Sequence, residues 1–115
     1  MAQYLILIYE DEAAMDVASK EDFEELLALH NQFGQKHANA IQGGQALHRT
    51  TSATSIRRGG SGEFTITDGP FAETREALGG YYLVEADNLD DAIAVAKDVP
   101  APNGGVEVRP IMLFD

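Results

Sequence analysis

The chain is organised around one stretch, which reads Thr67-Asp68-Gly69-Pro70-Phe71-Ala72-Glu73-Thr74-Arg75-Glu76-Ala77-Leu78-Gly79-Gly80. Pro70 fixes its own φ angle, and a residue that precedes proline avoids helical dihedral angles, so Gly69-Pro70 predicts a turn. We expect Asp68 to be held at a strand end, where its carboxylate either caps nearby N–H groups or faces a cleft. Segments that read as strands flank the stretch on both sides.

Length and composition restrict the class of protein. The 115 residues predict a single domain over residues 1–115, and a hydrophobic content of 44% is typical of a globular protein. The sequence has no cysteine, which excludes disulfides, thiolate nucleophiles and zinc–sulfur sites. No secretory signal or run of membrane-spanning length is visible, so we expect a cytoplasmic protein. The net charge of −11 argues against direct binding to nucleic acid or to a membrane.

Hydrophobic periodicity predicts the other elements. An apolar run at residues 4–9 indicates a central strand, and Ser19 with Asp22 forms a weak capping box before a helix that we expect to reach Gly43-Gly44. Residues 55–58 and 63–67 predict a β-hairpin. Further along, residues 80–86 predict a strand, Asp87 or Asn88 caps a second helix, and residues 106–111 alternate as a last strand.

The order of these elements predicts the fold class. Two right-handed crossovers on one antiparallel sheet indicate an α+β, ferredoxin-like sandwich with an inserted β-hairpin. Both helices would cover one sheet face and leave the other with too much exposed apolar surface for a monomer. We therefore expect a homodimer through the sheet face, with an apolar contact surface made of Tyr4, Ile6, Ile8, Tyr82 and Val84.

Residues 68–76, DGPFAETRE, closely resemble the signature of the YCII-related family, in the branch named for its Asp-Gly-Pro-Phe sequence. The usual form is DGPFAETKE, so Arg75 replaces a lysine, and we call residues 68–76 the signature segment. The resemblance extends over nearly the whole chain, from the strand that ends at Tyr9 to the Val-Glu-Val-Arg-Pro ending. It implies a dimeric α+β barrel, because members of this family pair face to face. The family has no generally established activity.

Another branch of that family carries a histidine near the start of its first helix and an aspartate after its second helix. This chain has Ser19-Lys20-Glu21-Asp22 at the first place and Lys97-Asp98-Val99-Pro100 near the second. No histidine occurs at the first place. That pair is therefore not carried over to this sequence.

Asp68 and His30 are the candidate catalytic residues. A partly apolar pocket beside Phe71 would desolvate Asp68 and make it a candidate general acid or base, whereas the alternative is an aspartate that only forms the turn. His30 replaces a hydrophobe on the inner stripe of the first long helix and needs a partner. We expect that partner to be Asp68, which would raise the pKa of His30. The alternative is a half-buried histidine at a helix–sheet or dimer contact.

Five further residues are candidates for ligand binding: Arg75, Phe71, Tyr9, His48 and Arg109. Arg75 could clamp a substrate carboxylate, or it forms a surface ion pair with Glu73 or Glu76. His48 lies beyond a glycine pair and approaches either the site or solvent. Arg109, on the last strand, either points inward or faces solvent.

The histidines lack His-x-x-His or His-Glu-x-x-His spacing, so we predict no metal site, and no cofactor motif is visible. The predicted function is a small dimeric enzyme or ligand-binding protein that uses an Asp68-centred cleft for acid–base chemistry on a small polar or aromatic compound. As an enzyme it would catalyse cofactor-independent proton transfer of the isomerase or lyase type. The alternative is a regulatory or interaction module with a sigma-factor-related partner, since related domains occur beside extracytoplasmic-function sigma factors. A third possibility is a structural dimer locked by the signature segment.

Overall fold

The computed structural model describes residues 1–114 and has an α+β fold. Four strands form an antiparallel sheet in the order β2-β5-β1-β6, and β3 pairs with β4 in a separate two-stranded hairpin. This arrangement is compatible with the predicted ferredoxin-like sandwich. In chain order the elements are β1 (Ala2–Asp11), α1 (Glu12–Asp16), α2 (Lys20–Lys36), β2 (Ile41–Ala46), β3 (Thr54–Arg58), β4 (Phe64–Asp68), β5 (Glu76–Ala86), α3 (Leu89–Ala96) and β6 (Gly104–Pro110).

The core lies between one face of this sheet and the helices. In the central pair of strands, Tyr4 lies opposite Val84 and Ile6 lies opposite Tyr82. Ile6 and Val84 are both fully buried, with 0% of their surface exposed. Phe33 is the buried residue of α2, and its ring centroid lies 4.8 Å from that of Tyr82. Small residues of α3 complete the contact, namely Ala92 and Ala96.

The uncovered face of the sheet carries different residues from those that we predicted. Tyr4, Ile6, Ile8 and Val84 are buried under the helices, so the prediction that they form a dimer surface was wrong. Because side chains alternate along a strand, the other face carries their neighbours. Both faces of β1 are apolar. Alternation therefore shows which side chains share a face, but it does not show which of the two faces the helices cover. We call the uncovered set the open face; it includes Leu5, Leu7, Tyr81 and Leu83.

The ends of the helices follow from local capping. The predicted capping box is confirmed, because Ser19 and Asp22 exchange side-chain to backbone hydrogen bonds at the start of α2. The helix ends at Lys36, earlier than predicted, and Gly43-Gly44 lies inside β2 instead of stopping the helix. A Cβ atom on Gly44 would overlap the Tyr82 ring and the backbone carbonyl oxygen of Tyr81. This glycine therefore allows β2 and β5 to approach closely.

The molecule is flat for its length. Its radius of gyration is 16.4 Å and its extents are 48 × 47 × 18 Å. A compact domain of about 100 residues has a radius of gyration of about 13 Å. The predicted hairpin is confirmed within one residue at each end, and it stands apart from the core. The large exposed side chains of the hairpin and of the chain end are Ile56, Phe64, Ile66, Met112, Leu113 and Phe114.

Within residues 1–114, no helix is both long enough and apolar enough to cross a membrane.

Candidate functional site

The signature segment connects the hairpin to the central sheet and forms the walls of two adjacent cavities. Their volumes are about 490 Å³ and about 460 Å³. The two cavities share Pro70, Ala72, Thr74 and Ala77 from the connection and Thr50 from the opposite wall. We call the two cavities together the signature cleft. Both volumes fall within the range of about 300–1,000 Å³ that is typical of small-molecule sites.

Asp68 ends β4 and lies at the cleft, as its position before the Gly-Pro turn predicts. The turn itself is held by other groups. The N–H of Gly69, which has a φ angle of +102°, donates to the carbonyl of Ala53 at 2.7 Å. The Ser55 hydroxyl donates to the carbonyl of Gly69 at 2.6 Å. Among residues 1–114 the Asp68 carboxylate has no hydrogen-bond partner and is exposed, so it does not cap the turn.

The opposite wall of the cleft is anchored by α1, which the sequence did not lead us to predict. The carboxylate of Glu12 accepts hydrogen bonds from the Thr50 N–H at 2.9 Å and from the Thr50 hydroxyl at 2.5 Å. Arg49 donates to Asp16 at 3.0 Å. These two links tie the loop after β2 to α1. The only local sign of α1 is Asp11, whose carboxylate accepts from the N–H of residue 14 and thereby caps the helix.

Two of the predicted ligand-binding residues, Tyr9 and His48, line the larger cavity of the signature cleft. The Tyr9 hydroxyl donates to Glu107 at 3.3 Å, which orients the phenol toward β6. Arg109 lies elsewhere: it is exposed on β6, opposite Leu5 of the open face. Tyr9 and His48 are thus brought together, and Arg109 is not part of the cleft.

Arg75 and Phe71 occupy the outer surface of the signature segment. Arg75 donates to Asp11 at 3.2 Å, so its ion pair is with Asp11 and not with Glu73 or Glu76, the alternative that the sequence left open. The N–H of Ala14 and then the Arg75 guanidinium hold the pKa of the Asp11 carboxyl below its ordinary value. Phe71 is 63% exposed, and the Arg57 guanidinium lies 4.4 Å from its ring centroid. Both signature side chains are therefore engaged outside the cavities.

His30 lies in a third cavity, of about 260 Å³, which is bounded by α2 and by the end of the central sheet. We call this cavity the α2 pocket. The Nδ1 atom of the His30 imidazole is 2.7 Å from the Tyr82 hydroxyl. Asp68 does not line this pocket, so the predicted pair of His30 with Asp68 was wrong. The pKa of His30 was expected to be raised by a carboxylate, but burial lowers it instead.

Glu10 also lines the α2 pocket, and sequence reasoning missed it. It was interpreted as the first residue of a charged strand end, but β1 continues through Asp11. The signal that could have found it is alternation, because Glu10 continues the buried series Ile6, Ile8 by one further step of two residues. Burial raises the pKa of the Glu10 carboxyl, and Arg49 only partly offsets that effect.

Comparison with known proteins identifies the family of this chain. The model of the YCII-related domain matches residues 2–115. The chain belongs to the YCII-related domain family. An uncharacterized protein of Rhizobium meliloti (strain 1021) is 37% identical over 116 residues, which cover 96% of this chain and 93% of the relative. The name of that relative states no activity. Within residues 1–114, no group of three or more His, Asp or Glu side chains is arranged to hold a metal ion.

Proposed function

We propose that this YCII-related protein binds a small polar or aromatic compound in the signature cleft, with Asp68 as the polar anchor and proton-transfer group of the site. One observation carries the proposal: the signature segment leads out of β4, and most of its residues line the two cavities of the signature cleft.

The chemistry of the cleft suits a ligand that is mostly apolar and carries a few hydrogen-bonding groups. Leu47, Leu78 and Pro70 supply apolar walls, and His48 and the Thr74 hydroxyl add polar positions. Ligand sites commonly combine an apolar lining with a small number of placed polar groups.

Asp68 is suited to the role of anchor because its carboxylate is not engaged by the protein. Within residues 1–114 no side chain or backbone N–H bonds to it, although the turn that follows it is fixed by Gly69 and Ser55. An ionised carboxylate at such a position accepts hydrogen bonds from N–H or O–H groups of a ligand. The same oxygen atoms can accept or return a proton if the bound compound loses one.

We further propose that the protein acts as a homodimer and that a second copy covers the open face. Leu5, Leu7 and Leu83 lie on that face without a helix above them, and the molecule is only 18 Å thick in its shortest dimension. Tyr9 follows these residues in the alternation and also lines the signature cleft. A second copy on the open face would therefore lie beside the cleft and narrow its opening.

Ligand-observed NMR with a panel of small aromatic and hydroxylated compounds tests the binding proposal. We expect signals of at least one compound to broaden with the unaltered protein and not with Asp68→Asn. A blocking variant, Ala72→Leu, places a larger side chain in the wall that both cavities share and should abolish the same effect. Ala94→Leu, an exposed alanine of α3, is the matched control and should bind normally. Binding that survives both Asp68→Asn and Ala72→Leu would contradict a site in the signature cleft.

Sedimentation velocity tests the dimer. Leu83→Lys places a charge at the centre of the open face and should convert a dimer to a monomer at micromolar concentration. Leu89→Lys, at an exposed position of α3, serves as the control and should leave the dimer intact. A folded, unaltered protein that sediments as a monomer would overturn this part of the proposal.

A further inference from the structure

The α2 pocket is lined by ionisable residues that the signature cleft does not use. Glu10 enters it from β1, His30 from α2 and Tyr82 from β5. The pocket lies on the helix-covered side of the sheet, whereas the adjacent residue Tyr9 lines the signature cleft. Alternation along β1 therefore sends neighbouring side chains into two separate cavities.

The position of the Glu10 side chain depends on an irregularity in the neighbouring strand β5. In the pairing of β1 with β5, Ile8 lies opposite Gly80 and Tyr9 opposite Leu78, so Gly79 is an extra residue in β5. A bulge of this kind re-aims the neighbouring side chains. The Glu10 carboxylate occupies the space that a Cβ atom on Gly79 would need. The bulge and the missing side chain of Gly79 therefore leave room for this carboxylate in the pocket.

His30 is held at one of its two ring nitrogens. Nδ1 lies 2.7 Å from the Tyr82 hydroxyl, and the two rings are stacked with centroids 5.9 Å apart. Phe33 also packs against the Tyr82 ring, at a centroid distance of 4.8 Å. In the tautomer whose Nδ1–H donates to the Tyr82 oxygen, Nε2 presents a lone pair, and within residues 1–114 it has no hydrogen-bond partner.

We propose that Glu10 and His30 form a general acid–base pair in the α2 pocket, which enolises a small uncharged carbonyl compound. This activity is separate from ligand binding in the signature cleft and does not depend on it. His30 is the base, Glu10 is the acid, and Tyr82 is a positioning residue that holds the imidazole.

The protonation states of the pair suit these roles. Burial raises the pKa of Glu10, which favours the protonated carboxyl that a general acid needs, and lowers the pKa of His30, which favours the neutral imidazole that a general base needs. Two charged groups act on the Glu10 carboxyl: Arg49 favours the carboxylate, and Glu12 favours the neutral acid.

The lining of the pocket defines the substrate class. Its volume of about 260 Å³ is below the range of roughly 300–1,000 Å³ that drug-sized ligands need. Ile8 and Leu27 provide apolar walls, and among residues 1–114 no lysine or arginine lines the pocket. A phosphate or carboxylate group would find no cationic partner there, and would face the Glu10 carboxylate. The pocket therefore favours a small neutral molecule.

The reaction balances without a cofactor. The Nε2 lone pair of His30 takes a proton from the carbon next to the carbonyl, and the electron pair of that C–H bond forms a C=C bond. The π pair of the carbonyl moves to its oxygen, which takes the proton of Glu10. The products are an enol, a Glu10 carboxylate and a His30 imidazolium, and the reverse transfers restore both residues.

Exchange of the α-hydrogens of hydroxyacetone for deuterium in D2O, followed by NMR, tests the proposal. We expect the unaltered protein to accelerate exchange over buffer, and Glu10→Gln and His30→Gln each to reduce the acceleration by about 100-fold or more. His37→Gln is the matched control, because His37 lies at the end of α2 and bonds to Asp98 at 2.7 Å, outside the pocket. This control should keep the full rate.

The pH profile separates catalysis from a structural role. The exchange rate should be bell-shaped, bounded by two macroscopic pKa values that belong to the pair. Tyr82→Phe should lower the rate less than His30→Gln and keep the bell shape, since it removes only the positioning bond. Glu10→Gln is expected to fold, because it replaces a half-buried carboxylate with a neutral group of the same shape. Exchange no faster than in buffer, or acceleration that survives both Glu10→Gln and His30→Gln, would overturn the proposal.

Discussion

The signature cleft and the α2 pocket lie at the same end of the sheet, yet their polar groups are held in different ways. Asp68 stands exposed at the end of a two-stranded hairpin. Glu10 and His30 are half-buried, on a central strand and on the longest helix, and burial shifts the pKa values of both. A loop that carries exposed groups is suited to contacting a ligand, whereas regular elements that bury their groups can change their acidity.

The first prediction compares how much a core side chain and a hairpin side chain contribute to the free energy of unfolding, and it has the largest expected effect. Ile6→Ala removes a fully buried core side chain opposite Tyr82 and should lower the free energy of unfolding by about 2–5 kcal/mol. The matched change Ile66→Ala, at a hairpin position that is 67% exposed, should cost less than about 0.5 kcal/mol. Urea unfolding of both variants measures the difference. Similar costs at the two positions would mean that the hairpin is as tightly packed as the core.

The second prediction concerns the bond that positions His30. Tyr82→Phe removes the hydroxyl that lies 2.7 Å from Nδ1 and should destabilise the protein by about 1 kcal/mol. Tyr81→Phe is the control, because Tyr81 lies on the open face and its hydroxyl has no hydrogen-bond partner within residues 1–114. Equal stability of the two variants would show that water replaces the Tyr82 bond at no cost.

The third prediction concerns pH and separates the two shifted groups by sign. Because the pKa of Glu10 is raised in the folded state, the folded protein holds the proton more tightly, and stability falls as pH rises above the ordinary value of 4.5. Because the pKa of His30 is lowered, stability falls as pH drops below the ordinary value of 6.5.

The two contributions oppose each other, so the unaltered protein should show a shallow pH dependence from this pocket. Glu10→Gln should make stability rise more steeply with pH, and His30→Gln should make it rise less steeply or fall. Unfolding in urea at several pH values measures these slopes. Slopes that change in the same direction in both variants would contradict the assigned pKa directions.

The sequence was sufficient for most of the fold because its local signals agree with the final structure. Ser19 and Asp22 form the predicted cap, Asn88 caps α3, and the hairpin forms where glycines interrupt two strand-like runs. The choice of buried sheet face was not predictable in the same way. Leu5 and Ile6 are equally apolar, and only the packing of α2 and α3 decides which of them is covered.

The candidate site was predictable only in part, for the same reason. The signature segment was found because its residues are contiguous, and it does line a cleft. Glu10, His30 and Tyr82 are separated by up to 72 positions in the chain, and only the sheet register brings them together. His30 stood out as a polar residue on an apolar stripe. Its partner could not be identified from the sequence, because only the pairing of β5 with β1 shows that the Tyr82 side chain points toward α2.

The most direct test of the account is an NMR titration of His30 and Glu10, because it asks whether these two residues form a pair in the α2 pocket that is separate from Asp68 in the signature cleft. We expect His30 to titrate below 6.5 and Glu10 above 4.5, the ordinary values of the two groups. The midpoint of His30 should be the same in Asp68→Asn, since the two residues line different cavities. A His30 midpoint above 6.5 that falls when Asp68 loses its charge would contradict the account and show that these residues share one site.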